Sequence, residues 1–301
     1  MKLTVLGCHS GSLRWGAFAT SQVLEVAGRV FLIDCGEGTQ MQLRKNKVKF
    51  SRIKQIFISH LHGDHFYGLI GLISTLQLLG REASLTLYGP KGIKEIIELQ
   101  LKLSQAYIQF PLAFVELDSL SPQLVYEDDK VKVTTIPLRH RIYCNGYLFE
   151  EKLGLRRIDI DKANEAEIDF AYFNKLKQGF DVPNSKGKLI INADVTKDPF
   201  PPKKYAFCSD TAFYPKIIKQ IKGVDMLYHE STFLESEQYL CERTMHSTAK
   251  QAATIALQAK VGNLILGHYS GRYPDKEEFR REAQEVFEKV LLAEDGKKFE
   301  F

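Results

Sequence analysis

The chain has 301 residues, of which 44% are hydrophobic and 26% are charged, and its formal net charge is +4. These values are typical of a soluble globular protein, and the mildly basic balance permits a nucleic-acid partner without requiring one. The longest apolar stretch, residues 66–80, is shorter than the roughly 20 residues that a membrane span needs. We therefore expect no association with a membrane.

Five cysteines are scattered along the chain, and no two of them form a CxxC pair. This spacing suggests neither a disulfide framework nor a thiolate zinc site. We expect all five thiols to be reduced and mostly buried, in a cytoplasmic protein.

Short apolar strands are predicted along the whole chain: KLTVLG, SQVLEV, RVFLIDCG, IKQIFISH, SLTLYGP, KVKVTTIPLRH, KYAFCSD, VDMLYHE and VGNLILGH. Helical patterns are predicted at residues 66–79, 91–106, 213–221, 246–260 and 275–292. Strands that alternate with helices in this way predict a layered α/β architecture.

Two segments depart from this alternation. Residues 150–188 are charged and poorly periodic, which favours an inserted loop or arm over a core element. The last residues, EDGKKFEF, are typical of a loosely held tail.

The densest group of metal-ligand residues is SHLHGDH, which directly follows the predicted strand IKQIFIS. It therefore lies at the carboxyl end of a strand, where α/β folds usually bind ligands. His60, His62 and Asp64 alternate, so that extended backbone would point them to one side, and the glycine between them would allow a tight turn. Asp64 and His65 are adjacent and are expected to diverge. A lone histidine is usually a surface or core group, but four ligand-type residues in six positions favour metal binding.

Further titratable residues stand where other apolar strands stop, and they are His140, Asp210, His229 and His268. If those strands lie side by side, their ends converge on one site. Imidazole and carboxylate ligands without thiolates suit Zn²⁺, and Mn²⁺ and Fe²⁺ are also compatible.

The ligands divide into two sets, with one metal ion for each set. The first set is His60, His62 and His140, the second is Asp64, His65 and His268, and Asp210 would bridge the two ions. Two ions about 3.5–4 Å apart can share a hydroxide that is a nucleophile at neutral pH. The net positive charge that remains suits a phosphodiester or a developing carbonyl oxyanion.

Several segments of this chain resemble the ribonuclease Z family of the metallo-β-lactamase fold, whose members trim the 3′ end of precursor tRNA. The resembling segments are FLIDCGEGTQMQL, SHLHGDHFYGLIGL, PLRH, CSDT, YHESTF, MHSTAKQAA and LGHYSGRY. YHESTF and MHSTAKQAA separate this family from lactamases. The resemblance covers nearly the whole chain. It implies a single domain over residues 1–301, built as a four-layered αββα sandwich of two mixed β-sheets flanked by helices, with an inserted flexible arm at about 150–188.

The resemblance also implies an activity: a zinc-dependent endoribonuclease with two Zn²⁺ per chain, which cleaves precursor tRNA after the discriminator nucleotide and leaves a tRNA 3′-hydroxyl and a 5′-phosphorylated trailer. Asp64 would double as the catalytic proton acceptor. His246 would help to protonate the departing 3′ oxygen, and Glu230 would orient its ring. The structural alternatives are an ordinary hydrogen bond for Glu230 and a helix start for MHST. His229 is expected to be a core residue, and the family implies a homodimer.

The chain also departs from the family pattern. The N-terminal loop HSGSLRWGAFATSQ contains Arg14 and Trp15 but lacks the family's proline. The arm segment IDFAYFNKLKQG lacks the Gly-Pro pair of the family arm, which grips the tRNA elbow. The arm does carry basic and aromatic residues that suit RNA, or simply a soluble surface: Arg156, Arg157, Tyr172, Phe173, Lys175 and Lys177.

Two other functions are compatible with parts of this pattern. One is a metallo-β-lactamase-fold phosphodiesterase or a lactone or ester hydrolase that acts on a small molecule, and the arm argues against it because a small substrate needs no arm. The other is a non-catalytic RNA-binding relative, and the intact set of predicted metal ligands argues against that.

Overall fold

The computed structural model describes residues 1–11 and 16–301, so that Arg14 and Trp15 lie outside the described residues. The chain separates into two compact units. We call the first, Met1–Glu127 with Val131–Glu150 and Lys203–Phe301, the main unit. We call the second, Asp128–Lys130 with Glu151–Pro202, the arm unit.

The strands of the described residues are β1 (Lys2–Gly7), β2 (Ser21–Val26), β3 (Arg29–Ile33), β4 (Ile53–Phe57), β5 (Leu85–Pro90), β6 (Leu112–Leu117), β7 (Leu124–Glu127), β8 (Val131–Pro137), β9 (Asn145–Glu151), β10 (Arg157–Ile158), β11 (Val182–Pro183), β12 (Leu189–Ile190), β13 (Thr196–Lys197), β14 (Lys204–Cys208), β15 (Met226–Glu230), β16 (Asn263–Gly267), β17 (Val290–Leu292) and β18 (Lys298–Glu300). The helices are α1 (Thr39–Lys45), α2 (Gly63–Phe66), α3 (Leu69–Leu78), α4 (Ile93–Leu103), α5 (Ile160–Glu165), α6 (Phe173–Lys177), α7 (Asn192–Val195), α8 (Gln238–Thr244), α9 (Ala249–Ala259) and α10 (Glu277–Gln284).

Two mixed seven-stranded sheets form the centre of the main unit. Their strand orders are β18-β1-β2-β3-β4-β5-β6 and β17-β16-β15-β14-β9-β8-β7. In β3, Phe31 and Ile33 belong to the apolar core that both sheets share, whereas Val30 and Leu32 pack with α1, α3 and α4. The ring of Phe31 lies 5.5 Å from that of Phe149 in the other sheet. Since α9 and α10 add their apolar residues to the second sheet, the layers are αββα and the predicted sandwich is confirmed.

The parallel strands determine where the polar loops gather. β3 pairs in parallel with β4, and β15 pairs in parallel with both β14 and β16. The registers place His229 opposite Cys208, and Glu230 opposite Gly267. Because neighbouring parallel strands end at the same edge of a sheet, the residues that follow β14, β15 and β16 lie side by side.

Two glycines allow the loops after β3 and β4 to touch. A Cβ atom on Gly68 would lie 2.1 Å from the carbonyl oxygen of Gly36, and one on Gly36 would lie 2.3 Å from that of Asp64. This close approach permits backbone hydrogen bonds from Cys35 N to His65 O, at 2.7 Å, and from Gly68 N to Cys35 O, at 2.9 Å. The loop after β3 thereby supports the SHLHGDH loop.

Several helix and tail predictions were wrong in part. The helix predicted at 275–292 ends at Gln284, and Val290–Leu292 forms β17 beside β16. The helix predicted at 213–221 is only a 3₁₀ turn over Pro215–Lys219. The tail is not loose, because β18 pairs with β1 and Phe299 is buried. In each case pairing or packing with distant residues outweighs the local pattern.

The arm unit is folded, in a segment whose sequence was predicted to be an inserted loop or arm. It contains α5, α6, α7 and two small two-stranded sheets, β10 with β13 and β11 with β12. Its core consists of Ala163, Ile168, Leu176, Val182 and Val195. The unit continues to Pro202, beyond the predicted end at residue 188. The longest helices of the described residues, α4 and α9, have eleven residues each, and no helix there is long and apolar enough to cross a membrane.

Candidate metal centre

The structure brings all seven predicted metal ligands together at the ends of the strands. Their ligand atoms form compact groups in which all atoms lie within 4.8 Å of one another. One group contains His60, His62, His140 and Asp210, and another contains Asp64, His65 and His268. His229, which was expected to be a core residue, is buried and belongs to neither group.

The first group converges on one oxygen of Asp210. His60 Nε2 lies 3.5 Å from Asp210 Oδ2, and His140 Nε2 lies 3.9 Å from the same oxygen. His62 presents Nδ1 instead, which lies 2.9 Å from His60 Nε2 and 3.2 Å from His140 Nε2. These nitrogens and the carboxylate oxygen thus surround one common point.

The second group converges on the other oxygen of Asp210. His65 Nε2 lies 3.3 Å from Asp210 Oδ1, and His268 Nε2 lies 3.2 Å from it. Asp64 Oδ2 lies 3.6 Å from His65 Nε2 and 3.5 Å from His268 Nε2. Asp210 therefore points one oxygen at each group.

The backbone of the SHLHGDH loop differs from the prediction. His62 is extended, with φ −78° and ψ 144°, but Asp64 and His65 lie in the short helix α2. The expectations that Asp64 continues an extended alternation and that it diverges from His65 were therefore wrong. Gly63 has no positive φ, and a Cβ atom there would lie 2.2 Å from the ring of Tyr67, which would have to move. The helical turn lets two adjacent residues reach the same group.

Hydrogen bonds hold the rings of His60 and His65 in one tautomer. His65 Nδ1 donates to Asp34 Oδ2 at 2.7 Å, so that Nε2 faces Asp64 and Asp210. Burial lowers the pKa of His65, but these three carboxylates raise it above its usual range. The Ser59 hydroxyl donates to Asp34 Oδ2 at 2.9 Å and can therefore accept from His60 Nδ1, which is 3.0 Å away. Both rings thus turn Nε2 towards the acids.

The rings of His140 and His268 are held in the same way. His140 Nδ1 donates to the carbonyl oxygen of Met245 at 2.9 Å. The Thr232 hydroxyl donates to Glu230 Oε2 at 2.7 Å, so it accepts from His268 Nδ1 at 2.9 Å. Each ring again keeps its Nε2 lone pair for the cluster.

The electrostatics of the cluster suit divalent cations. Burial lowers the pKa of His60, His62 and His140, so that these imidazoles are neutral and their lone pairs are available. Within the described residues, the buried Nε2 atoms of His65 and His268 have no hydrogen-bond partner. Neutral imidazoles and carboxylates without thiolates are ligands that suit Zn²⁺. The donor set therefore fits divalent metal ions.

Asp34, Ser59 and Thr232 were not predicted as site residues. Asp34 could have been found by the rule that revealed the others, because it directly follows the apolar strand β3. Asp34 and His268 both have left-handed backbone, with φ 54° and 61°, a conformation that is often found at functional sites in residues other than glycine. Ser59 and Thr232 leave no comparable signal in the sequence, since their role depends on which neighbours they meet.

Two close relatives of this chain are both named ribonuclease Z. Ribonuclease Z of Bacteroides fragilis is 47% identical over 295 residues, which cover 98% of this chain and 97% of that protein. Ribonuclease Z of Bacteroides thetaiotaomicron is 46% identical over 295 residues, which cover 98% and 93%. The chain belongs to the ribonuclease Z family. Ribonuclease Z enzymes are tRNA 3′-processing endoribonucleases, so the chain is a hydrolase of that class.

Solved structures agree with this membership. Human tRNase Z, short form, superposes with a TM-score of 0.73 and 27% identity, and the match covers 100% of this chain and 99% of that one. A metallo-β-lactamase fold protein from Bacillus subtilis, at 18% identity and a TM-score of 0.69, shows the fold alone. A family model described as anti-Pycsar protein Apyc1 also matches residues 1–167.

In this ribonuclease Z chain, Glu230 and His246 meet beside the cluster. His246 Nδ1 donates to Glu230 Oε1 at 2.8 Å. The same oxygen accepts the backbone N–H groups of Thr211 and Ser247, both at 3.1 Å. Burial alone would lower the pKa of His246, but the Glu230 carboxylate raises it to about 9. The pair therefore presents a protonated imidazole to the site at neutral pH.

Neither structural alternative for this pair accounts for it fully. The helix start in MHST is Thr248, whose side chain accepts from Gln251 N and which forms a capping box with Gln251. His246 lies two residues earlier and is not the cap. Glu230 does accept hydrogen bonds from backbone N–H groups. It also accepts one from His246 Nδ1, and this bond fixes the ring.

Replacing Asp34 with asparagine should weaken metal binding about 10–100-fold, which is the usual cost of losing a carboxylate behind a ligating histidine. The amide preserves the shape of the side chain but not the charge that holds His65 Nδ1–H. Zinc titration of metal-free protein measures the change, and excess zinc should restore most of the cleavage activity. An unchanged zinc affinity would contradict the orienting role of Asp34.

Proposed function

We propose that this chain is a zinc-dependent endoribonuclease that removes the 3′ trailer from precursor tRNA after the discriminator nucleotide. The products are a tRNA with a 3′-hydroxyl and a trailer with a 5′-phosphate. One observation carries the proposal: Asp210 directs its two oxygens at two separate ligand groups, directly beside the Glu230–His246 pair. A phosphodiesterase needs this combination, because it must bind the phosphate and protonate the departing oxygen.

We assign two Zn²⁺ ions to the chain. The first would be held by His60, His62 and His140, the second by Asp64, His65 and His268, and Asp210 would be shared. When bound, the ions supply Lewis-acid activation of water and of the phosphate at neutral pH.

Asp64 is assigned a second role as the acceptor of the proton that the attacking water loses. Its side chain is 15% exposed, so it lies at the open side of the cluster. Burial opposes ionisation, but His65 and His268 lower the pKa of Asp64 below its usual range. The backbone N–H of Gly11 donates to Asp64 Oδ2 at 2.8 Å and holds the carboxylate in place.

His246 is assigned the role of general acid. Its imidazole is centred 5.2 Å from that of His140 and 5.3 Å from that of His268, so it faces both ligand groups. Glu230 keeps Nδ1 occupied, and the proton on Nε2 can be given to the departing 3′ oxygen of the tRNA.

The direct test uses a precursor tRNA labelled in its 3′ trailer, with zinc-loaded enzyme. We expect one cut after the discriminator nucleotide, and end analysis should find the 3′-hydroxyl and the 5′-phosphate. An enzyme that hydrolyses bis-p-nitrophenyl phosphate but leaves every precursor tRNA intact would favour the small-molecule alternative.

We further propose that the chain acts as a single domain over residues 1–301, with the arm unit as an inserted tRNA-binding element. Within the arm unit, Arg156 is paired with Asp198 at 2.6 Å, and the Arg157 guanidinium lies 3.9 Å from the centre of the Phe200 ring. These two arginines therefore contribute to the structure of the arm. Lys175 and Lys177, which lie on α6, are exposed and are the better candidates for phosphate contacts.

Replacing Lys175 and Lys177 with alanine should raise KM for precursor tRNA by about tenfold, and each loss should reduce the slope of log KM against log salt by about one. Turnover of bis-p-nitrophenyl phosphate should not change. Lys186→Ala is the matched control, because this exposed arm lysine is paired with Glu167 at 2.8 Å. Equal effects of the double variant and the control would contradict the assignment.

We infer that the protein is a homodimer, which the family resemblance implies. Exposed apolar side chains on α1 and α3 offer a contact surface, since Met41 and Leu78 are 66% and 86% exposed. Leu78→Asp should convert the dimer into a monomer in sedimentation experiments, whereas Leu257→Asp, an exposed leucine on α9, should not. A wild-type monomer would refute the inference.

We also infer a cytoplasmic location. The five cysteines are all unpaired and buried, which is typical of proteins in reducing compartments.

A further inference from the structure

Two cavities of the main unit flank the ligand cluster, and Arg139 lines both of them. We propose that one of these cavities, whose walls include Tyr143 and Tyr214, binds the first nucleotide of the 3′ trailer. This inference rests on the proposed function, because it concerns the nucleotide on the far side of the bond that the enzyme cuts.

The first cavity has a volume of about 420 Å³ and is lined by Arg139, Cys241, Met245 and His246, among others. We call it the acid-side cavity, since it contains the proposed general acid. The departing 3′ oxygen belongs to the discriminator nucleotide, and it must lie within hydrogen-bond reach of His246 when it leaves. The discriminator nucleotide therefore lies on the side of the acid-side cavity.

The second cavity has a volume of about 530 Å³, and its lining includes His140, Ile142, Tyr143, Tyr214 and Lys216. We call it the tyrosine cavity. Its volume is in the range of pockets that bind small ligands, so it can accept one nucleotide. Its lining does not include His246, whereas that of the acid-side cavity does.

The two cavities lie where the two nucleotides that flank the scissile phosphate would need to bind. His140, whose Nε2 faces the cluster, lies in the wall of the tyrosine cavity, and its Nδ1 is bonded to Met245 O in the wall of the acid-side cavity. Arg139 precedes His140 in the chain and is exposed. A phosphodiester held at the cluster has one nucleotide on each side, so the nucleotide that does not enter the acid-side cavity extends towards the tyrosine cavity.

The lining of the tyrosine cavity suits a base and the phosphate that follows it. The Tyr143 hydroxyl donates to Ser119 O at 3.1 Å and accepts from Asn145 at 2.7 Å, so its ring is fixed. Tyr214 is half-buried, and the Lys216 ammonium lies 5.8 Å from the centre of its ring. Aromatic rings stack with any base, and a lysine at the rim attracts phosphate, so the cavity should bind the trailer without reading its sequence.

The test compares precursor tRNAs that carry either a normal base or an abasic site at the first trailer position. For the wild-type enzyme, we expect kcat/KM to fall about tenfold on the abasic substrate, which is the usual effect of losing one stacked base. Tyr214→Ala should lose about as much on the normal substrate and little more on the abasic one. Tyr214→Phe, which keeps the ring, should behave as the wild type does.

A second pair of variants tests the lysine of the tyrosine cavity without altering its two tyrosines. Lys216 and Lys219 are exposed lysines of the same 3₁₀ turn, but only Lys216 lines the cavity. Lys216→Ala should reduce kcat/KM and its salt dependence for trailers of several nucleotides, and should have no effect on a one-nucleotide trailer, which lacks the next phosphate. Lys219→Ala should leave both substrates unchanged.

These outcomes distinguish a failure of the trailer site from a failure of the proposed function. A wild-type enzyme that cleaves normal and abasic precursors equally would overturn the trailer site and leave the proposed function intact. The trailer site would also be overturned if the losses in kcat/KM caused by Tyr214→Ala and by the abasic site multiply when the two are combined. It would be overturned as well if Lys216→Ala and Lys219→Ala behave alike. An enzyme that cleaves no precursor tRNA would refute the proposed function and, with it, this inference.

Discussion

Replacing Asp210 with alanine is expected to reduce cleavage of precursor tRNA by at least about 10³-fold, because the metal centre contributes several kcal/mol of transition-state stabilisation. Asp210 is 2% exposed and lies between His60 and His140 on one side and His65 and His268 on the other. Its removal takes a ligand from both proposed ions at once. Metal analysis should find less than two zinc ions per chain, and a cleavage time course measures the activity.

Asp225→Ala is the matched control for this variant. Asp225 forms an ion pair with Lys203 at 2.8 Å and directly precedes β15, at the opposite end of that strand from Glu230. The same chemical change there should leave both metal content and cleavage unaltered. Circular dichroism of both variants should match that of the wild type, so that a loss of activity is not attributed to unfolding. An Asp210→Ala enzyme with two zinc ions and full activity would refute the bridging role.

Replacing His246 with alanine is expected to lower kcat on precursor tRNA by about 10²–10⁴-fold, which is the range of general acid catalysis. Zinc content should not change, since His246 is not among the seven proposed ligands. Comparing two substrates with different leaving groups tests whether His246 donates a proton. The p-nitrophenolate ion leaves without a proton, so bis-p-nitrophenyl phosphate should lose little turnover in the variant. Equal losses on both substrates would mean that His246 does not act as the acid.

The dependence of activity on pH tests the partner of this histidine. The Glu230 carboxylate raises the pKa of His246 to about 9, so the protonated form is populated below that pH and is lost as the pH rises through it. Activity that needs the protonated ring should therefore fall on the alkaline side. Glu230→Gln removes the negative charge, lowers the pKa of His246, and should move this alkaline limb to lower pH. A limb that moves to higher pH or stays in place would contradict the pairing.

The layered α/β architecture was predictable because it depends on local patterns, whereas the two-sheet sandwich was implied by the family resemblance. Apolar strands such as KYAFCSD and VGNLILGH end in a ligand-type residue, and strands of an α/β sheet pair with their carboxyl ends at one edge. The ends of β14 and β16 are joined through β15 in this way. Hydrophobic periodicity and one rule about sheet edges therefore group Asp210 with His268, whereas His60 follows β4 in the other sheet and meets them only through the packing of the two sheets.

The predictions failed where pairing over long distances decides the local structure. The end of the chain is a strand because β18 finds a free edge beside β1, nearly three hundred residues away. The charged arm is folded because Leu176, Val182 and Val195 share a small core that no periodic pattern reveals. In both cases tertiary packing stabilises a conformation that the local sequence does not favour.

The identity of the ligand-type residues, and the strands that carry them, can therefore be read from the amino-acid order, since a strand and the residue after it are neighbours in the chain. Orientation cannot be read in this way. Asp34 orients the ring of His65, and Glu230 accepts hydrogen bonds from both His246 and Thr232. Each of these is a contact between different strands and loops. Such contacts depend on distances of about 3 Å in the folded chain, which only the packing of the two sheets establishes.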